Sequence, residues 1–135
     1  MADSLLDSTT YRAIRVLAAQ KAKLAAVFAE YGLHLGQEHM LAQLWREDGL
    51  TQTQLADRLG VSAPAITKVV RGLERGGLVE RLQDDADARV LRVRLTERGR
   101  ALEEPITTAW YAVEAESLAA LTPEQRAAIQ HLAES

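Results

Sequence analysis

The chain has 135 residues, of which 47% are hydrophobic and 26% are charged, and it contains no cysteine. This length suits one domain, and this composition supports a hydrophobic core rather than a disordered chain. Without cysteine the chain has no disulfide, no thiolate zinc ligand and no thiol redox sensor. The formal net charge of −3, taken as a whole, argues against a nucleic-acid partner. No membrane-length apolar stretch and no secretory signal is recognisable, so we expect a cytoplasmic protein without membrane contact.

The N-terminal part of the chain has the periodicity of helices. Apolar residues recur at helical spacing from about Tyr11 to Tyr31, which predicts a long first helix with one apolar face. A second helix is predicted over residues 37–46, and Gly49 ends it. Both helices carry apolar residues on one side, so each must pack against another element.

Two short helical blocks joined by a turn follow. Thr51 is placed to cap the first block and Ser62 to cap the second, with Gly60 in the turn between them. Ala56 supplies the small residue where two such helices touch, and Ile66 supplies a branched apolar anchor on the second helix. This arrangement predicts a helix-turn-helix.

The second helix of this motif has a basic outer face. Lys68, Arg71 and Arg75 recur at helical spacing along it, and small residues occupy its first turn. Recognition helices have this composition because small side chains allow a close approach to the base edges of the major groove. Residues 62–100 carry nine basic and six acidic residues, a net charge of +3, whereas the rest of the chain carries −6. The acidic total therefore conceals a basic segment.

After the helix-turn-helix the periodicity changes to two. Residues 78–82 and 89–95 are predicted as strands, and the polar residues between them as a hairpin. A helix-turn-helix followed by a hairpin with an arginine near its tip is a winged helix. We therefore predict a mainly α fold with a small β-ribbon wing.

The C-terminal part returns to helix. Thr96 caps a predicted long helix that runs to about Ser117, within which Pro105 starts or kinks a turn. Thr122 and Gln125 form the capping box of a short last helix. The apolar residues of the terminal helices can cover each other within one chain or across two chains, and their pattern leaves both arrangements open.

The segment from Leu33 to Leu102 resembles the winged-helix core of the MarR family of bacterial transcriptional regulators. Asp87-Ala88-Arg89, followed by the run from Leu95 to Gly99, is similar to the D-x-R…L-T-x-x-G wing signature of that family. The resemblance implies a single domain over residues 1–135, with a DNA-binding core at 33–100 flanked by dimerisation helices at 5–32 and 101–135. It also implies a homodimeric repressor that reads a pseudo-palindromic operator, with half-sites about 10 base pairs apart, and is released by a small effector.

The resemblance assigns DNA-contact roles to the wing and to the second helix of the motif. Arg89 is expected to enter the minor groove, with Asp87 holding its guanidinium by a charge-assisted hydrogen bond. Many members have a second arginine where this chain has Ala88 and a proline where it has Asp85, so we expect a weaker phosphate contact at this wing. The expected contact positions on the recognition helix are Ser62, Ala63, Ala65, Thr67, Lys68 and Arg71.

The resemblance further implies a cleft between the dimerisation helices and the winged helix for a small, often aromatic, effector. The residues expected to line it are His39, Trp45, Trp110 and Tyr111. Each of them also has a simpler interpretation. An aromatic residue at helical spacing usually belongs to the core, and a single histidine is usually a hydrogen-bonded polar residue.

The sequence bears on three other functions. Gln37-Glu38-His39 resembles a segment that supplies ligands in zinc-sensing members, but the histidines those members carry after the wing are missing, so we expect no metal site and no cofactor. A winged helix that contacts only proteins is a second alternative, in which the basic face is replaceable. We do not expect an enzyme, because the paired glutamates near the C-terminus lack a catalytic partner.

Overall fold

The computed structural model describes residues 4–134, which form a mainly helical fold around a small antiparallel sheet. The elements in chain order are a 3₁₀ turn (Leu5–Asp7), α1 (Thr9–Ala29), α2 (Gln37–Arg46), β1 (Leu50–Thr51), α3 (Gln52–Leu59), α4 (Ala63–Arg75), β2 (Val79–Gln83), β3 (Leu91–Leu95), α5 (Glu97–Ala101), α6 (Glu103–Ser117) and α7 (Pro123–Ala133). Within residues 4–134, none of the helices has the length and apolarity that a bilayer span requires.

Side-chain caps begin several helices, as the sequence predicts. Ser62 caps α4 through its hydroxyl. Thr51 and Gln54 form a complete capping box at α3, and Thr122 and Gln125 form another at α7. Each cap satisfies backbone N–H groups that have no partner inside the helix, which fixes the starting residue.

One hydrophobic core joins the helices to the sheet. α1 packs along α6, and α4 packs on both α3 and β2. The largest of the fully buried side chains are Phe28, Met40, Leu41, Leu44, Leu55, Ile66, Val70, Leu73, Val79 and Val93. Because α4 is anchored by three of these residues, its outer face is held in a fixed position beside the sheet.

The sheet has three antiparallel strands in the order β1-β3-β2, where the sequence predicts two. The additional strand pairs Leu50 with Val93. Two residues are too few to show the alternation by which a strand is recognised. The other strands occupy 79–83 and 91–95 rather than 78–82 and 89–95, because Arg89 and Val90 belong to the hairpin tip.

The long helix predicted after the wing is two helices, α5 and α6, which meet at Leu102. Pro105 has no N–H to donate to the carbonyl of Ala101, and its ring would clash with that carbonyl in a continuous helix. The prediction of one helix is therefore wrong, whereas the prediction that Pro105 starts or kinks a turn is confirmed.

Apolar residues near both ends of the chain remain exposed. Along α1, Leu24 and Phe28 are buried, whereas Ile14 and Leu17 are not. We call the more than half-exposed side chains of this group the terminal apolar residues, and they are Leu5, Leu6, Ile14, Leu17, Ile129 and Leu132. A bundle within one chain does not cover them.

Candidate nucleic-acid interface and ligand cleft

The outer face of α4 carries cations without a counter-ion. Lys68, Arg71 and Arg75 are exposed, and within residues 4–134 their side chains form no ion pair or hydrogen bond. By contrast, Arg58 and Arg100 are paired with carboxylates. A row of unneutralised cations along one helix is suited to contact with phosphate groups.

The predicted contact residues of α4 lie on one continuous surface. Ala63, Thr67, Lys68 and Arg71 line a shared groove along the helix, while Ser62 and Ala65 are exposed at its start. The Thr67 hydroxyl donates to the Ala63 carbonyl at 3.1 Å, so its hydrogen-bonding capacity is partly used within the helix. Arg75 lines the same groove but is not among the predicted contact positions. Its spacing of four residues from Arg71 could have indicated that it lies on the same face.

At the wing tip, Arg89 extends into solvent with 91% of its side chain exposed. Its Nε and Nη2 donate to the Asp87 carboxylate at 3.1 and 3.2 Å, and its backbone N–H donates to the same carboxylate at 3.0 Å. These hydrogen bonds from Arg89 lower the pKa of Asp87. The aspartate–arginine contact expected from the wing motif is therefore present in the protein without DNA.

A second aspartate–arginine pair fixes the base of the wing. Arg92 Nε hydrogen-bonds Asp84, and Arg92 Nη1 donates to the Gly49 carbonyl at 2.9 Å. Asp84 also accepts the backbone N–H groups of Ala86 and Asp87, at 3.0 and 3.1 Å. The hairpin is thus tied to the segment before β1. The sequence does not predict this pair. The opposite charges of Asp84 and Arg92, on either side of the predicted hairpin, could have indicated it.

The four residues predicted to bind an effector line one cleft of about 560 Å³ between α2 and α6, namely His39, Trp45, Trp110 and Tyr111. Ligand pockets commonly measure about 300–1,000 Å³. The lining also includes the charged residues Glu38, Arg46 and Glu103. The predicted lining does not include these three charged residues, because it was chosen for aromatic side chains alone.

Both tryptophans of the cleft are held in place. Trp45 Nε1 donates to the Gly99 carbonyl at 2.9 Å. Trp110 stacks on Phe28, with ring centroids 6.3 Å apart and planes inclined by 19°. Each indole therefore packs against the core on one side and borders the cleft on the other, so the core interpretation and the ligand interpretation are compatible.

Glu38 and His39, the residues that resemble a zinc-binding segment, lie next to each other at the start of α2. Glu38 is buried, and both of its carboxylate oxygens accept the Gly36 N–H, at 3.0 and 2.7 Å. His39 Nε2 lies 4.0 Å from that carboxylate. Among the described residues 4–134, no group of three or more histidine, aspartate or glutamate side chains is positioned to hold a metal ion.

Sequence comparison places this chain among bacterial regulators. The MarR family model matches residues 33–91. The transcriptional regulator AdcR of Streptococcus pneumoniae is 41% identical over 76 residues, which cover 56% of this chain and 51%, about half, of AdcR. The HTH-type transcriptional repressor Rv2887 of Mycobacterium tuberculosis is 35% identical over 117 residues, which cover 86% of this chain and 84% of Rv2887.

Solved structures match nearly the whole chain, including the helices outside residues 33–91. A probable transcriptional regulator from Pseudomonas aeruginosa superposes with a TM-score of 0.85 at 27% identity, covering 97% of this chain and 98% of that one. The MarR family protein Rv2887 in complex with DNA superposes with a TM-score of 0.74 at 30% identity, covering 98% and 97%. The chain therefore belongs to the MarR family of winged helix-turn-helix transcriptional regulators.

Proposed function

We propose that this protein is a repressor that binds a pseudo-palindromic DNA operator as a homodimer and releases it when a small molecule enters the cleft. The observation that carries the proposal is the unneutralised basic face of α4 beside a wing with an exposed Arg89. A recognition helix of this kind enters the major groove while the wing reaches the adjacent minor groove. The structure of the similar protein Rv2887 with DNA supports DNA as the partner.

The contacts divide by side-chain chemistry. Lys68 and Arg71 supply donors for phosphate or guanine, and Arg89 reaches the minor groove with Asp87 orienting its guanidinium. The small residues of α4 and its cap allow the helix to approach the base edges closely. These residues are Ser62, Ala63, Ala65 and Thr67. Phosphate contacts supply affinity, whereas contacts at base edges supply sequence preference.

The homodimer is supported by the terminal apolar residues. A single chain leaves Leu5 71% exposed and Leu132 73% exposed. Burial against a second copy would contribute roughly 25 cal/mol for each Å² of apolar surface removed from water. A two-fold dimer would place its two α4 helices about 34 Å apart, one turn of DNA, so that both read the operator.

The effector role of the cleft is supported by its position. α2 lines the cleft together with α6, and α2 also packs on α3 and α4. A ligand that changes the packing of α2 on α6 would therefore move α4 relative to the α4 helix of the second subunit. Release requires that the ligand bind the arrangement unable to hold DNA more tightly than the DNA-bound arrangement.

The test is selection of bound duplexes from random DNA, followed by fluorescence anisotropy with the selected sequence. We expect binding at least about 10³-fold tighter than to a scrambled duplex. A variant with alanine at Lys68, Arg71 and Arg89 should lose this binding and keep its thermal unfolding midpoint. The matched control removes three cations from α1, at Arg12, Arg15 and Lys23, none of which lies on the side of the helix that carries Ile14 and Leu17. Unchanged binding by the first variant would refute the assignment of the DNA contacts to α4 and the wing. Failure of the parent chain to select any duplex would instead support a winged helix that contacts only proteins.

A further inference from the structure

We propose that the cleft between α2 and α6 takes a small lipophilic cation, an aromatic ammonium compound, held by Glu38 against the indole rings of Trp45 and Trp110. The inference rests on the proposed function in treating this cleft as the effector site. It adds the charge and the chemical class of the ligand, which aromatic lining alone does not specify.

Glu38 is the first reason for a cationic ligand. Its side chain is 7% exposed, yet the residue lines the cleft. Its two oxygens share one backbone donor, the Gly36 N–H, whereas a carboxylate can accept about four hydrogen bonds. The basic group near it is His39 Nε2, at 4.0 Å, which carries charge only when protonated. A buried carboxylate without a permanent counter-ion attracts a cation strongly, because little water screens it.

The aromatic lining is the second reason. The faces of indole and phenol rings attract cations, and the attraction increases when the cation is removed from water. Trp110 is fixed by its stacking on Phe28, and Trp45 is fixed by its hydrogen bond to the Gly99 carbonyl. Because these two rings are already ordered, little conformational entropy is lost when a ligand binds between them.

The charge balance of the lining points the same way. The cleft is lined by two acidic residues, Glu38 and Glu103, and by one permanent cation, Arg46. Arg46 and Glu103 are both exposed and form no ion pair within residues 4–134, so solvent and salt screen both charges, and Glu38 is the poorly screened one. An aromatic carboxylate would place its negative charge near the poorly screened Glu38. The cleft therefore favours an aromatic cation over an aromatic anion of the same size.

The chain supplies its own reporter for this proposal. It contains two tryptophans, and both line the cleft. Tryptophan fluorescence of the full chain should change saturably on titration with benzyltrimethylammonium chloride. At fixed ionic strength we expect this cation to bind at least about tenfold more tightly than benzoate or benzyl alcohol. Tighter binding of benzoate would overturn the proposal.

Variants separate the charge of Glu38 from its shape. Glu38→Gln keeps an oxygen that can accept the Gly36 N–H, and it should weaken binding of the cation about tenfold while leaving benzoate binding equal or tighter. Arg46→Gln should tighten cation binding only slightly, because solvent and salt screen its charge. If Glu38→Gln unfolds, the ratio of cation to benzoate affinity in the parent chain carries the test. Glu104→Gln, outside the cleft, is the matched control for Glu38→Gln and should leave cation binding unchanged. Equal cation affinity of Glu38→Gln and the parent chain would contradict the assignment.

The titration uses no DNA, so its outcome is independent of operator binding. A chain that binds its selected duplex but does not bind benzyltrimethylammonium would overturn the ligand assignment and leave the repressor proposal standing. A chain that binds the cation but selects no duplex would overturn the repressor proposal instead. Where both bind, adding the cation to the protein–DNA complex should lower the anisotropy of labelled duplex.

Discussion

Asp87 accepts hydrogen bonds from two nitrogens of the Arg89 guanidinium, from Nε at 3.1 Å and from Nη2 at 3.2 Å. The two residues form the tip of the wing, and Arg89 remains 91% exposed. The aspartate therefore orients the arginine without burying it. Orientation before DNA arrives reduces the entropy lost on binding, but the same carboxylate opposes the approach of phosphate groups.

This pair yields a prediction with two variants. Arg89→Ala should weaken binding to the selected duplex by about 1–3 kcal/mol, because a groove contact is lost. Asp87→Asn should strengthen binding to a scrambled duplex, because the carboxylate that repels phosphate groups is removed. It should also lower the ratio of specific to non-specific affinity, because the Arg89 guanidinium is no longer held in one orientation. Anisotropy titrations with both duplexes measure these effects, with Arg15→Ala in α1 as the control. An Arg89→Ala variant indistinguishable from the parent on both duplexes would refute the role of the wing.

The base of the wing yields a prediction of pH dependence. The side-chain hydrogen bond from Arg92 lowers the pKa of Asp84 below its ordinary value of 3.8. A carboxyl group with a depressed folded-state pKa stabilises the fold above its unfolded-state pKa, and the contribution is lost as the pH falls through the folded-state value. The Asp84–Arg92 pair should therefore remain intact from neutral pH to about pH 4 and be lost only in stronger acid.

Carbon-detected NMR titration of the Asp84 carboxyl group measures this directly. Arg92→Gln removes the guanidinium and should return the pKa of Asp84 toward 3.8. Arg94→Gln, on the same strand, removes a charge of the same sign but not this hydrogen bond, so the titration of Asp84 should not change. Identical Asp84 titrations in the parent chain and Arg92→Gln would show that another group sets the shift.

Structural features that depend on only a few neighbouring residues could be predicted from the sequence. The caps at Thr51, Ser62 and Thr122 and the apolar anchor Ile66 lie in short segments whose side chains bond or pack locally. The winged helix followed from these signals in combination with the two-residue alternation after Gly77. Local encoding explains why the recognition helix was placed correctly.

Features that depend on distant residues were not readable. β1 exists because Leu50 and Thr51 pair with β3, more than 40 positions later, and two residues carry no pattern of their own. Glu38 became a cleft residue only when α2 met α6. A charged side chain near a helix start is usually solvated, so the sequence did not indicate that Glu38 would be buried.

Two helical glycines give opposite predictions for the same substitution. A Cβ on Gly99 would lie 2.1 Å from the Leu78 carbonyl oxygen, which is backbone and cannot move aside. Gly99→Ala should therefore reduce the free energy of unfolding by about 3 kcal/mol or more. A Cβ on Gly72 would meet Gln37 Nε2 at 3.0 Å and Arg75 Nη2 at 3.9 Å, which are the ends of two flexible side chains. Gly72→Ala should increase the free energy of unfolding by about 0.5–1 kcal/mol, because alanine favours helix.

Urea denaturation followed by circular dichroism compares the two variants with the parent chain. Equal effects of the two substitutions would show that helix propensity, rather than the contact of α5 with Leu78, decides the outcome at Gly99. Because Trp45 donates to the Gly99 carbonyl, the same Gly99→Ala variant should also shift tryptophan emission. Gly72→Ala should leave the emission unchanged.

The dimer can be tested at the terminal apolar residues of α1. Ile14 and Leu17 lie on the side of the helix that further along buries Leu24 and Phe28, yet they are 59% and 52% exposed. Ile14→Glu with Leu17→Glu should convert a dimer into a monomer, because carboxylates without partners would have to enter an apolar contact. Ala19→Glu, at an exposed position on the other side of α1, is the control. Light scattering after size exclusion measures the mass of each protein.

Loss of the dimer should also change DNA binding in a defined way. Two α4 helices joined in one molecule gain from the high effective concentration of the second half-site once the first is bound. The Ile14→Glu, Leu17→Glu variant should therefore lose affinity steeply for the full palindrome while binding a single half-site as the parent does. A parent chain that is monomeric in solution and binds full and half sites equally well would refute two-fold recognition. Its terminal apolar residues would then need a different partner.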